Sequence, residues 1–273
     1  MYDYLRDHGR VDQKGGLSPA SIRYTHHVLA KALNQAIKEG VIVETPMRRV
    51  TAPKSKRYQA QVYTLEEMQQ LISVVKDDPR LELPVLFAVA CGLRRGEALA
   101  LTEADIDFEN KIVCINKQYV DLPQGVILSE PKSEESKRTI FVPDELIVII
   151  RRHLVRINHN RVIFGDAYQE NHLLVCQDNG APLRPTSITK SFNKLLKKHG
   201  LKKIRFHDLR HSAVTLMANN HTPLQVVSNI VGHSDVSFTA NIYTHTLTEE
   251  KKEAARRVGQ ALFPDNPDSN PES

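Results

Sequence analysis

The spacing of the apolar residues changes period once along this chain, and that change limits the fold more than any other feature. Over residues 18–101, and again after residue 144, apolar side chains recur every three or four positions, as in amphipathic helices. Between residues 111 and 142 the chain has short runs rich in Val, Ile and Tyr, separated by turn residues, which is typical of β-strands. The sequence therefore predicts a mainly α protein with a small antiparallel β-sheet (α+β).

Start and stop signals give the predicted elements their bounds. Ser18 and Pro19 supply an N-cap and a proline at the first helical position. Thr64 followed three residues later by Glu67 forms a capping box, and Gly92 is a stop signal. The predicted helices cover residues 18–40, 64–76, 81–91, 95–101, 144–157, 186–199, 208–219, 223–231, 235–245 and 249–263, and the predicted strands cover 111–119, 126–128, 138–142 and 173–176.

Charge is unevenly distributed along the 273 residues, whose formal net charge is +5. Residues 184–211 hold nine basic side chains and one acidic side chain, and residues 1–60 hold eleven basic and five acidic ones. Basic segments of this kind can bind a polyanion, or they can simply form a solvated helix end. Charge alone leaves both interpretations open.

Other features of the composition exclude several classes of protein. No apolar run reaches the roughly 18 residues of a membrane span, and the first six residues lack the apolar core of a signal peptide. Cys91, Cys114 and Cys176 are widely spaced in apolar surroundings, which predicts reduced, buried thiols rather than disulfides or a zinc site. We therefore expect no membrane partner and a cytoplasmic location.

Two arginines near helix starts are candidates for binding a phosphate. Arg94 and Arg210 each carry a planar fork that matches two phosphate oxygens. Two such forks on one phosphate would stabilise a pentacoordinate transition state, although a surface ion pair is the more common role of any single arginine. Glu97 lies one helical turn after Arg94, so we expect it to orient or support that arginine.

The histidines allow more than one interpretation. His207 and His211 are four residues apart, a spacing that also suits zinc, but no Glu or Cys lies between them. His207 is a candidate proton acceptor or phosphate hydrogen-bond donor, whereas His211 is expected to be structural because apolar residues surround it. His233 follows Gly232 at the end of a predicted helix, where a capping or core role would be common.

Tyr243 and Lys132 complete the candidate residues. Tyr243 lies on the predicted helix 235–245, and core packing is the ordinary role of a tyrosine there. Its hydroxyl attacks a phosphate only if a neighbour takes its proton or stabilises the phenolate. Lys132, in the turn between the predicted strands 126–128 and 138–142, is a candidate to protonate a departing 5′ oxygen. Lys137 and Arg138 are close rivals that the residues alone do not separate.

Five pieces of sequence, taken in this order, resemble the tyrosine recombinases, specifically the phage- and transposon-type integrases. They are Ala90-Cys91-Gly92-Leu93-Arg94-Arg95-Gly96-Glu97, Glu130-Pro131-Lys132-Ser133, His207-Asp208-Leu209-Arg210-His211-Ser212, Val231-Gly232-His233-Ser234 and Ile242-Tyr243-Thr244-His245. The resemblance covers nearly all of residues 63–248 and, more loosely, residues 1–53.

The resemblance implies a catalytic set of six residues: Arg94, Lys132, His207, Arg210, His233 and Tyr243. In this set the two arginines clamp the scissile phosphate and the lysine acts as general acid. The two histidines are the remaining phosphate and proton-transfer groups, and the tyrosine forms a 3′-phosphotyrosyl link to DNA. Because that link keeps the bond energy, the implied reaction needs no ATP, metal or other cofactor.

The resemblance also implies partners and a domain organisation. A homo-tetramer would exchange strands between two double-stranded DNA sites through a Holliday junction, with DNA-bending or directionality factors as further partners, in the integration or excision of a mobile element. The setting would be a bacterial or phage-encoded protein at the nucleoid. Expected domains are a partial helical core-binding domain (1–53), a linker (54–62), a catalytic domain (63–263) and a disordered tail (264–273). The chain is thus expected to be N-terminally truncated.

Two other activities remain as alternatives at this stage. One is relaxation of DNA in the manner of a type IB topoisomerase, which uses similar chemistry. The other is DNA binding without cutting, as in a catalytically idle remnant, and the short N-terminal region keeps this alternative open.

Overall fold

A computed structural model describes residues 1–12, 14–54, 60–130, 137–232, 256 and 258 of the chain. The chain divides into two compact units, Met1–Gln59 and Ala60–Ser273. The division falls inside the segment 54–62 that the sequence suggests as a linker. Among the described residues, no helix is both long and apolar enough to cross a membrane.

The first unit contains two helices and a short 3-10 turn among its described residues. Helix α1 spans Tyr2–His8, helix α2 spans Pro19–Lys38, and the 3-10 turn spans Pro46–Arg49. Helix α2 begins as predicted, because the Ser18 hydroxyl accepts a hydrogen bond of 3.2 Å from the backbone N–H of Ser21. Helix α1 is not predicted by the sequence. It has neither a side-chain cap nor a buried residue, so it lacks the two signals on which such a prediction depends.

The second unit is mainly helical. Its helices are α3 (Leu65–Val75), α4 (Glu82–Cys91), α5 (Arg95–Ala100), α6 (Asp144–Phe164), α7 (Pro185–Lys198), α8 (Asp208–Asn219) and α9 (Leu224–Val231). Its strands are β1 (Ile106–Asp107), β2 (Ile112–Ile115), β3 (Gln118–Leu122), β4 (Gly125–Ser129) and β5 (Arg138–Phe141). The predicted fold class, mainly α with small antiparallel β-structure, is confirmed.

The strands form two sheets rather than one. Strands β1, β2 and β5 form an antiparallel sheet in that order, and β3 pairs only with β4 among the described strands. The prediction of a single strand over residues 111–119 is therefore wrong. The chain leaves the first sheet at Lys117, whose ammonium lies 2.8 Å from the Asp105 carboxylate and 3.2 Å from the Thr102 hydroxyl. The predicted turn at 131–136 lies outside the described residues.

Several further predictions differ from the structure or lie beyond it. Helix α6 continues past residue 157 to Phe164 and ends at Gly165, whose φ is +49°. Of residues 173–176, Leu173 and Cys176 each form an isolated bridge, with Thr102 and Pro182, and the segment is not a strand. Cys114 is exposed, because strand β2 turns it away from the core. The predicted helices 235–245 and 249–263 lie outside the described residues, except for residues 256 and 258, which are helical.

Helix α4 lies at the centre of the core of the second unit. Every residue from Glu82 to Cys91 except Ala90 is buried, and the helix contacts α3, α5, α6 and α8. A helix that is apolar on all sides must be enclosed by other elements. Its C-terminal end therefore brings the following turn against the start of α8, and the candidate site forms there.

Candidate active site

The turn after α4 provides the base of the site. Gly92 ends the helix with φ +65°, a left-handed conformation that favours glycine. A Cβ atom at this position would lie 2.6 Å from a methyl carbon of Val231 in α9. The carbonyl oxygen of Gly92 accepts a hydrogen bond of 2.5 Å from Nη1 of Arg210. This turn therefore joins α4, α8 and α9.

Arg210 lies on α8 and is 1% exposed. Burial lowers the pKa of its guanidinium to about 9, and the nearby cations of Arg94 and Arg138 contribute to the lowering while Glu97 opposes it. The pKa remains well above neutral, so Arg210 is charged at pH 7. A buried cation with other cations nearby is costly, and an anion bound at this position would reduce that cost.

Arg94 is the residue that precedes α5, and Glu97 fixes it at both the backbone and the side chain. The Glu97 carboxylate accepts a 2.9 Å hydrogen bond from the backbone N–H of Arg94 and a 2.7 Å bond from its Nη1. Nη2 of Arg94 donates to the carbonyl oxygen of Gly232 at 2.9 Å. About a third of the Arg94 side chain is exposed, so a ligand approaching from solvent can reach it.

Glu97 is almost fully buried and receives a second arginine. Arg138 donates from Nη2 to one oxygen of the Glu97 carboxylate at 2.9 Å and from Nη1 to the other at 3.2 Å. Burial acts to raise the pKa of Glu97, but its bonds with Arg138 and the charges of Arg138 and Arg94 outweigh this effect and lower it. Glu97 is therefore ionised and holds both arginines.

Arg138 is the residue of this cluster whose place the sequence reasoning missed. The sequence suggests it only as a rival of Lys132, whereas in the structure its side chain points inward, with 6% of it exposed and Nε donating to the Ile230 carbonyl at 2.6 Å. One sequence signal could have found it. Residues two apart on a strand share a face, and Ile140 is a core residue, so an arginine at 138 requires a buried partner.

His207 and His211 lie together at the start of α8. Their ring centroids are 5.1 Å apart in an edge-to-face arrangement. Desolvation and the Arg210 cation lower the pKa of His207, which retains an exposed edge. Desolvation and His207 lower the pKa of the buried His211 to about 4. Both imidazoles are therefore neutral at pH 7, and His207 is the one that solvent can reach.

The helix start that carries these histidines is fixed by Asp208. This carboxylate is fully buried and accepts hydrogen bonds from the backbone N–H of Arg205 at 3.1 Å and from its guanidinium at 3.0 Å. The Asp208 carbonyl accepts from the Ser212 hydroxyl, which in turn accepts from the backbone N–H of Tyr63. The start of α8 is thus attached to the segment before α3.

A depression of about 480 Å³ opens beside these residues. Arg94 and His207 line one part of it, and Tyr119, Asp121 and Thr186 line another. Burial raises the pKa of the Tyr119 hydroxyl. Among the described residues, no group of three or more His, Cys, Asp or Glu side chains is arranged to hold a metal ion.

The structure thus brings together Arg94, Glu97, His207, Arg210 and His211 of the residues suggested by the sequence. Lys132, His233 and Tyr243 lie outside the described residues. Gly232, which immediately precedes His233, ends α9 with φ +64° and is held by Arg94.

Comparison with known proteins gives a consistent family. The model of the phage integrase family matches residues 61–250. A tyrosine recombinase XerC-like protein of Caldanaerobacter subterraneus subsp. tengcongensis is 28% identical, with 91% of this chain and 68% of that protein covered. The ICEBs1 integrase of Bacillus subtilis is 25% identical, with 90% of this chain and 67% of that protein covered.

Solved structures share the fold. The Tn1549 transposon integrase in complex with transposon right end DNA has a TM-score of 0.71 at 23% identity, covering 88% of this chain and 81% of that one. A lambda integrase dimer bound to a core site has a TM-score of 0.55 at 19% identity, covering 82% of this chain and 73% of that one.

Proposed function

We propose a residue-level mechanism for this chain, which belongs to the phage integrase family and is a tyrosine-type site-specific DNA recombinase. In this proposal Tyr243 attacks a DNA backbone phosphate that Arg94 and Arg210 hold. The product is a 3′-phosphotyrosyl link and a free 5′ hydroxyl. The reverse attack by a 5′ hydroxyl of another strand rejoins the DNA.

One observation carries this proposal: the guanidinium groups of Arg94 and Arg210 lie close enough together for the Arg94 cation to contribute to the lowered pKa of Arg210. Arg94, Arg138 and Arg210 contribute three cations, and Glu97 contributes one anion. Arg205 and Asp208 lie beside them as an oppositely charged pair. A phosphodiester bound by Arg94 and Arg210 would place its negative charge beside two cations, and the preoriented guanidinium groups would stabilise the additional charge of its transition state.

The proton transfers follow from the charge states. In the forward step the Tyr243 oxygen forms a bond to phosphorus while the bond from phosphorus to the 5′ oxygen breaks. The tyrosine proton passes to a neutral acceptor, for which His207 is suited because its lowered pKa leaves the imidazole unprotonated at neutral pH. We assign the proton donated to the 5′ oxygen to Lys132, and a phosphate hydrogen bond to His233.

Glu97 and His211 have supporting roles in this proposal. Glu97 orients Arg94, which it contacts through two hydrogen bonds. His211 is neutral and packs its ring against His207, so it fixes the orientation of the imidazole that exchanges protons.

The DNA partner and the assembly belong to the same proposal. The chain acts on double-stranded DNA in the integration or excision of a mobile element. Four copies bring two sites together, and DNA-bending or directionality factors assist. Residues 1–53 form a DNA-binding domain, and residues 1–60 hold eleven basic and five acidic side chains. Some relatives are named after mobile elements, for example the transposase from transposon Tn916 of Enterococcus faecalis. These relatives support this proposal.

A nicked suicide substrate tests the proposal. A short strand 3′ of the cleavage site diffuses away after attack, so the covalent protein–DNA product accumulates and migrates as a slower band in a denaturing gel. We expect that band with the unmodified chain in the presence of EDTA. Binding without any covalent product would instead support the idle DNA-binding alternative, and relaxation of supercoiled DNA without sequence preference would support the topoisomerase-like one.

A further inference from the structure

Arg138 connects three elements of the site, although the catalytic set assigned above gives it no role. It lies at the start of β5, and its guanidinium bridges both oxygens of the Glu97 carboxylate in α5, at 2.9 and 3.2 Å. Its Nε donates to the carbonyl oxygen of Ile230 in α9 at 2.6 Å. With 6% of its side chain exposed, it lies behind the surface that a ligand would meet.

Arg94 makes the complementary set of contacts. It donates to Glu97 at 2.7 Å and to the carbonyl oxygen of Gly232 at 2.9 Å. The two arginines therefore share one carboxylate and hold two carbonyl oxygens at the same end of α9. Gly232 also lies directly against Arg138, because a Cβ atom there would be 3.0 Å from Cδ and Nη1 of that arginine.

We propose that Arg138 is a positioning residue for the recombination reaction, which orients Arg94 through Glu97 and fixes the end of α9 at Gly232. This inference rests on the proposed function. Arg138 acts through these neighbours and does not itself contact the phosphate.

The geometry requires an arginine at this position. The contacts run in two directions, toward two carboxylate oxygens and toward a backbone carbonyl. The planar fork of a guanidinium can make all three bonds together, whereas the single ammonium group of a lysine cannot. Charge alone, which lysine would keep, is therefore not enough for the role.

The first test compares Arg138→Lys and Arg138→Gln with the unmodified chain on the nicked suicide substrate. Because a shift of about 1 Å in a reacting group can reduce a rate about 100-fold, we expect both variants to lose between about 10-fold and 100-fold in the rate of covalent product formation at saturating DNA. We expect their DNA-binding constants to change by less than about 3-fold, since the scissile phosphate still meets both arginines.

Arg152→Lys is the matched control. Arg152 also pairs with a buried carboxylate, that of Glu82, but it lies on α6 and has no contact with the cluster of Arg94, Glu97 and Arg210. We expect this variant to form the covalent product at close to the unmodified rate. Circular dichroism and thermal unfolding of each variant show that the comparison is made between folded proteins.

A pH profile separates positioning from a purely structural role. The charged groups that act on Glu97 are Arg138, Arg94 and Arg210, and the Cys91 thiol lies near Arg138. Burial raises the pKa of Glu97, and the neighbouring cations lower it. Without Arg138 fewer cations lower it, so the pKa of Glu97 rises. The rate of Arg138→Gln should then fall as the pH is lowered through a range where the unmodified rate does not show this loss. Adding Glu97→Gln in the same variant should abolish that dependence.

Three results would overturn the inference. They are covalent product formation by Arg138→Lys at the unmodified rate, a pH profile of Arg138→Gln parallel to the unmodified one, and an unchanged pKa of Glu97. The last is measured by carbon-13 NMR titration of labelled glutamate, with Glu97→Gln for assignment, and requires no DNA. If the unmodified chain forms no covalent product, the proposed function fails, and the NMR titration still decides whether Arg138 controls Glu97.

Discussion

Arg210 is the largest of the described side chains that are less than 2% exposed, and its place in the core is explained by the anion it is proposed to bind. One guanidinium nitrogen is held by the Gly92 carbonyl, which fixes the direction of the fork. In solution a single arginine would have no fixed direction. In this site the guanidinium is already oriented in the folded protein, so it needs no reorientation when it binds an anion.

We predict that Arg210→Lys reduces the rate of covalent product formation by about 100-fold to 1,000-fold, the usual effect of removing one preoriented donor. DNA binding should change little, because many other phosphate contacts contribute to it. Arg205→Lys is the control, since Arg205 is 54% exposed and pairs with Asp208; we expect a change of a few-fold at most. Similar rates for the two variants would contradict the role given to Arg210.

His211 makes the stability of the protein depend on pH. Its pKa is about 4 in the folded chain and near its ordinary value of about 6.5 when unfolded. Between these values the unfolded state binds more protons, so stability is complete above pH 6.5 and is lost as the pH falls toward 4. The share from this one histidine is at most about 3 kcal/mol.

Replacing this histidine should therefore reduce the loss of stability in acid. We predict that His211→Gln shows a smaller difference in the free energy of unfolding between pH 7 and pH 5 than the unmodified chain, as measured by urea denaturation. His172→Gln, at a residue whose side chain is 71% exposed, should retain the full difference. The same difference in all three proteins would show that His211 does not titrate as described.

At the scale of elements, the end of α4 controls the site through a close packing contact. Gly92 and Gly200 have the same φ of +65°, but their surroundings differ. An added Cβ at Gly92 would lie 2.6 Å from Val231, whereas nothing lies within 4 Å of the corresponding position at Gly200. The two glycines therefore separate backbone strain from packing.

We predict that Gly200→Ala lowers the free energy of unfolding by about 1 kcal/mol, because alanine is strained in the left-handed conformation. Gly92→Ala should cost about 1–3 kcal/mol more, because α9 must move away from α4. It should also slow covalent product formation, since the carbonyl oxygen that holds Arg210 is displaced. Chemical denaturation and the suicide-substrate assay measure the two effects. Equal losses of stability in both variants would mean that α9 moves away from α4 without any loss of stability.

The sequence predicted elements well where local signals determine them. The capping box of α3 is present, with Glu67 bonded to the Thr64 N–H at 2.9 Å, and the ends of α4 and α8 lie within one or two residues of the predicted bounds. The prediction failed where residues distant in sequence determine the structure. The pairing of β2 with β5 instead of β4 depends on the departure of the chain at Lys117, which no local pattern reveals.

The same limit applies to the site. Motif spacing suggested Arg94, Glu97, His207 and Arg210, and folding brings them together. The role of Arg138 could not be found in this way, because its partners Glu97 and Ile230 lie 41 and 92 positions away in sequence. Only the face of the strand on which it lies gives a local indication.

In the whole molecule, the proposed function combines the cation cluster of the unit 60–273 with a proposed nucleophile, Tyr243, further along the chain. Tyr119 offers a direct comparison, because it is the tyrosine among the described residues that lines the depression with Arg94 and His207. If a tyrosine near these groups were sufficient, Tyr119 could itself form the link to DNA. The proposed function assigns that role to Tyr243 alone.

The decisive measurement is the identity of the residue linked to DNA. The covalent product of the suicide substrate is digested with nuclease and protease, and the modified peptide is identified by mass spectrometry. We predict a nucleotide on Tyr243, no covalent product from Tyr243→Phe, and a covalent product from Tyr119→Phe. A covalent product that persists in Tyr243→Phe, or a nucleotide attached to any other residue, would show that Tyr243 is not the nucleophile.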